Sequence, residues 1–66
     1  MLEEKIDNLK LNPEIVVILK KNKIIEIKHL IAKTKTQLKS MGLLGYQISE
    51  IEIKLQLCGY DLKGNY

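Results

Sequence analysis

The chain has 66 residues and a formal charge of +3, with 45% hydrophobic and 29% charged residues. It is one domain, residues 1–66, too apolar for disorder and too short for a second core or a deep catalytic cleft. No run approaches the roughly 18 apolar residues of a membrane span, and the acidic Met1-Leu2-Glu3-Glu4 start argues against a secretory signal. Cys58 is the single cysteine, so no disulfide framework is expected, and a reducing, cytoplasmic setting is.

Residues 1–5 read as a flexible start and residues 6–62 as the folded core. Ile6, Leu9 and Leu11 look like an extended arm tucked against the first helix. Asn12-Pro13-Glu14 is a helix start: Asn caps, Pro presets φ, and Glu sits at the positive end of the dipole. Ile15, Val16, Ile18 and Leu19 give that helix an inward stripe, and Asn22 fits a left-handed stop. Ile24, Ile27, Leu30 and Ile31 suit a short second helix, though Ile24-Ile25 could equally be extended. Thr34 with Gln37 is a capping box that opens a third helix through Leu38. Met41-Gly42-Leu43-Leu44-Gly45 then makes a tight turn.

Residues 46–58 carry two signals. Ile51-Glu52-Ile53-Lys54-Leu55-Gln56-Leu57 alternates as a strand does. As a helix, the same stretch aligns Leu44, Ile48, Ile51, Leu55 and Cys58 on one face. A lone strand cannot satisfy its backbone and no partner of comparable length exists, so helix is expected, ended by Gly59. The expected fold is all-α, a bundle of four short helices. Its core is Ile15, Leu19, Leu30, Leu38, Leu44, Ile48, Ile51 and Leu55.

Charge is uneven. Residues 20–39 hold seven lysines against Glu26, a local +6, whereas residues 1–19 sum to −2 and residues 40–66 to −1. A basic centre can attract polyanions, and lysines also simply solvate the outer faces of short helices. With no arginine, the bidentate fork used for guanine edges and phosphates is missing. Catalysis finds no constellation. His29 reads as an exposed polar residue without a second ligand at metal spacing, and Cys58 as a small inward hydrophobe. Glu50 and Glu52 point to different faces, so they do not form an acid–base pair. Neither an enzyme, a metal site nor a cofactor is expected.

The two helices around the Gly42–Gly45 turn outline a helix-hairpin-helix, and the span Ile6–Leu62 resembles the C-terminal domain of the bacterial RNA polymerase alpha subunit. The residues that carry the likeness are Ile6-Asp7-Asn8-Leu9-x-Leu11, Leu19-Lys20, Ile24, Ile27 and Leu30. Thr34-x-x-x-Leu38, Leu44-Gly45, Ser49-Glu50-Ile51, Leu55 and Gly59-x-x-Leu62 complete the ordered set. The resemblance implies a compact four-helix domain that docks on the minor groove of A/T-rich promoter DNA and on transcription regulators. Several positions depart from it. Glu14 stands where the family has an essential arginine and Val17 where it has asparagine. Tyr46 and Gln47 follow Gly45 in place of two basic residues and a serine.

DNA contact is therefore expected to be weak, carried by backbone near Gly45, Tyr46 and Gln47 with help from Lys20 and Lys21; the Gly42 turn is a weaker candidate. RNA polymerase or a regulator is the partner that the resemblance implies. The alternative is a protein-interaction or self-association module on the same fold that has lost DNA binding. Ile53 and Leu57, four residues apart opposite the core stripe, with Val17 and Tyr60, are its candidate surface, exposed in the monomer and covered by a second copy or another protein.

Overall fold

The computed structural model describes residues 4–63. The fold is all-α, as the sequence predicts: α1 (Pro13–Lys21), α2 (Ile27–Leu30), α3 (Lys35–Ser40) and α4 (Gly45–Leu57), preceded by a 3-10 turn over Ile6–Leu9. No strand forms among the described residues. The only extended pairing there is an isolated antiparallel bridge between Lys5 and Glu26. No helix of the described residues is long and apolar enough to cross a membrane.

The entry segment differs from the expected extended arm. Ile6 and Leu9 are three apart, so a strand would send them to opposite faces, whereas a 3-10 turn brings both to one side. Both are buried, with Leu11 beside them in the core. The stretch read as a flexible start lies partly outside the described residues, at 1–3. Its last two residues are held: the Glu4 carbonyl accepts the Ile27 N–H at 2.8 Å, and Lys5 pairs with Glu26.

Helix starts follow the sequence. The Asn12 side chain accepts the Glu14 N–H at 3.0 Å ahead of Pro13. Thr34 Oγ1 accepts from the Gln37 N–H at 3.2 Å while Gln37 Oε1 accepts from the Thr34 N–H at 2.9 Å. These bonds satisfy amides that the first turn leaves open.

Helix ends are where the structure adds most. α1, α3 and α4 all close with the same pair of bonds, a Schellman motif. After α1, the Ile24 N–H reaches the Leu19 carbonyl at 2.9 Å and the Lys23 N–H the Lys20 carbonyl at 3.0 Å. After α3, Leu43 reaches Leu38 and Gly42 reaches Lys39; after α4, Tyr60 reaches Leu55 and Gly59 reaches Gln56. The residue in the left-handed conformation is Lys23 (φ 63°), Gly42 (φ 100°) and Gly59 (φ 87°) in turn. In the first case this displaces the expected stop from Asn22 to Lys23. Asn22 keeps an ordinary φ and caps from its side chain, donating to the Ile18 carbonyl at 2.8 Å.

Each motif folds the residue after the left-handed position back toward the core. That corrects two core assignments. Leu43, not Leu44, is buried, at 3% against 56% exposed, because the chain reverses at Gly42 and leaves Leu44 as the extended cap of α4. Cys58 is exposed, not inward, because α4 ends at Leu57 and the half-buried Tyr60 packs against the core instead. The remaining assignments stand: Ile15, Leu19, Leu30, Leu38, Ile48, Ile51 and Leu55 share one core with Ile6, Ile24, Ile27 and Leu62. A Lys35–Glu52 ion pair at 3.4 Å ties α3 to α4.

Candidate functional site

Two surfaces of α4 stand out, one at its N-terminus and one along its outer face. Leu44, the residue before α4, has no side-chain acceptor, so α4 starts without the cap that α1 and α3 possess. Gly45 and Tyr46 are exposed there, and their N–H groups fall in the first turn, where no intrahelical carbonyl is available. A Cβ built on Gly45 meets nothing within 4 Å, so there is open space beside its Cα. Gln47 does not join this surface. It is 5% exposed and turns inward, its Oε1 accepting the Leu44 N–H at 2.9 Å.

The N-terminus of α1 lies against the same helix. The Asn12 N–H donates to Glu50 Oε2 at 2.8 Å, a charge-assisted bond at the positive end of α1. Exposed Glu14 sits in the first turn beside it. Both carboxylates repel an approaching phosphate.

Of the basic segment, Lys39 stands in the last turn of α3, at the hairpin itself. Lys20 and Lys21 lie at the opposite end of α1 from Asn12, and Lys20 is paired with Asp7 at 3.3 Å. Lys28 sits 3.5 Å from Glu26, and His29 Nε2 is 3.9 Å from the same carboxylate. A shallow recess of about 330 Å³ lies between the end of α1 and α2, lined by Ile24 together with Lys23, Lys28 and Lys33. The +6 segment is thus spread over several turns, with part of its charge answered locally. Such exposed pairs contribute little to stability, typically about 0–1 kcal/mol.

The outer face of α4 is apolar. At about 100° per residue, Tyr46, Ile53 and Leu57 fall within about 40° of one another, directly opposite Ile48, Ile51 and Leu55. They are 68%, 56% and 78% exposed. Tyr46 belongs to this stripe, which its spacing of seven and eleven residues to Ile53 and Leu57 reveals once a helix is assigned from Gly45. Val17, 53% exposed, lies on the outer side of α1, opposite Ile15 and Leu19. Tyr60 is not part of the stripe. It packs against the core and its hydroxyl donates to Glu4 Oε1 at 3.4 Å. Desolvation there, and then the neighbouring Glu4 carboxylate, raise its phenol above the ordinary value.

No family model, no curated protein and no solved structure matches this chain.

Proposed function

We propose that this chain is a transcription-associated docking domain of the helix-hairpin-helix kind, similar in role to the C-terminal domain of the RNA polymerase alpha subunit. Its contact with duplex DNA is weak and made to the sugar–phosphate backbone at the α3–α4 hairpin. The observation that carries this reading is the exposed start of α4 at Gly45, which like α2 and unlike α1 and α3 has no side-chain cap. Open amides at a helix start bind phosphate oxygens without reading sequence. The order of short helices around the hairpin agrees with the resemblance carried by Ile6 to Leu62.

Gly45→Pro tests it. Proline is tolerated at the first helical position, and Leu44 is already extended (ψ 162°), so the helix survives while one N–H is deleted. Affinity for an A/T-rich duplex at low salt, followed by fluorescence anisotropy, should fall about two- to tenfold, as one lost hydrogen bond of about 0.5–1.5 kcal/mol requires. Unchanged affinity with an unchanged helical signal would remove the hairpin from the contact.

A second reading is favoured by the exposed Tyr46–Ile53–Leu57 stripe and by Glu14 and Glu50 beside the hairpin. On it, α4 is a protein-docking face and the duplex contact is lost.

A further inference from the structure

Glu50 and Lys54 lie one turn apart on the same flank of the apolar stripe, and the other flank carries the uncharged Ser49 and Gln56. Although four residues apart, Glu50 and Lys54 are not joined by any ion pair among the described residues. Glu50 instead accepts the Asn12 N–H on Oε2, and both Glu50 and Lys54 are half-buried.

This arrangement is self-complementary in one orientation. We propose that the face is covered by a second copy of this chain, the two α4 helices packing antiparallel about a two-fold axis near Glu52. In an antiparallel pair the same flanks meet, and residues equidistant from the axis stand opposite one another. Glu50 of each copy then faces Lys54 of the other, Tyr46 faces Leu57, and Ile53 lies next to the axis against its own counterpart. Ser49 and Gln56 meet on the remaining flank. A parallel pairing brings opposite flanks together, so Glu50 and Lys54 would meet the uncharged Ser49 and Gln56 and gain no ion pair.

The area limits the strength. Two helices of 13 residues, each presenting three apolar side chains, fall short of the about 1,200 Å² that stable interfaces bury. The dimer is therefore weak and concentration-dependent. Tyr46 also borders the hairpin amides, so self-association and duplex contact exclude one another. The proposal rests on the protein-docking reading of the α4 face and narrows its occupant to a second copy.

Sedimentation equilibrium over a wide concentration range tests it, with circular dichroism as the control for folding. The parent chain should fit a monomer–dimer equilibrium. Ile53→Lys with Leu57→Lys, both at exposed positions, should give a monomer with unchanged helical signal. Lys54→Glu should weaken the dimer by setting carboxylate against carboxylate. Mixing that variant with Glu50→Gln, which keeps an acceptor for the Asn12 N–H, should restore association above that of Lys54→Glu alone, since one cross pair becomes attractive. A strict monomer at the highest concentration reached overturns the proposal, as does a dimer indifferent to Ile53, Leu57 and Lys54. If the parent is monomeric but binds a different protein in a manner lost on Ile53→Lys/Leu57→Lys, the docking reading survives and the homodimer does not.

Discussion

Leu19→Ala should unfold this domain at ordinary temperatures. Leu19 is fully buried in α1, and its backbone carbonyl anchors the turn that follows by accepting the Asn22 and Ile24 N–H groups. Truncation leaves those bonds in place but removes the side chain from a close-packed core, at a cost of about 2–5 kcal/mol for the lost transfer energy and the cavity. A chain of this size rarely holds more than about 3–5 kcal/mol in total. The loss of helical signal at 25 °C, or a collapse of the melting transition, is the expected result. Val17→Ala, two residues away on the exposed side, should stay within about 0.5 kcal/mol of the parent. A cooperative melt of Leu19→Ala within a few degrees of the parent would mean that the core is not continuous through α1.

The second large effect concerns the helix ends. Gly42 holds φ +100°, and a Cβ added there would meet nothing within 4 Å, so Gly42→Ala encounters backbone strain without a clash. It should cost about 1–2 kcal/mol, the penalty of a left-handed residue that carries a Cβ. The same motif after α1 uses Lys23 at φ 63°, where Lys23→Gly relieves that strain and should stabilise by up to about 1 kcal/mol. Opposite signs from two substitutions in equivalent turns, read from denaturant midpoints, identify the motif as the common device. Equal signs would show that the two turns do not share it.

These turns also explain what could be read in the sequence and what could not. The starts of α1 and α3 were legible because Asn12-Pro13-Glu14 and Thr34 with Gln37 act through bonds a few residues away. The misplaced residues cluster at helix ends. Leu44 and Cys58 continue a helical stripe on paper, but the chain reverses at Gly42 and ends α4 before Cys58, and the inward places pass to Leu43 and Tyr60. A local signal did exist. Leu19, Leu38 and Leu55 are each followed five residues later by an apolar residue, with Lys23, Gly42 or Gly59 just before it. For the entry segment, the spacing of three between Ile6 and Leu9 already spoke against an extended arm.

The strand-like alternation of residues 51–57 has a structural cause. Ile51 and Leu55 belong to the core stripe of α4, while Ile53 and Leu57 belong to the exposed one. Two apolar stripes on opposite faces of one helix, read along the chain, imitate period two. The pattern that obscures the secondary structure is thus the trace of the outer surface. The candidate DNA residues were less legible, because Gln47 turns inward to satisfy Leu44 and Lys20 is engaged by Asp7; neither fact is visible in composition.

On the proposed function, the hairpin of this domain meets duplex DNA, weakly because the acidic start of α1 stands beside it. The most direct measurement is a salt-dependent titration of an A/T-rich duplex with the parent chain and with Glu14→Arg. Glu14 is exposed in the first turn of α1, so the change spares the core. It replaces a repelling carboxylate with a cation suited to a narrow minor groove. The parent should bind weakly with a shallow salt dependence, because amide contacts release few counterions. Glu14→Arg should bind more tightly, with the log–log salt slope steeper by about one. No binding by either chain at the lowest salt, or identical binding by both, would contradict the proposed function.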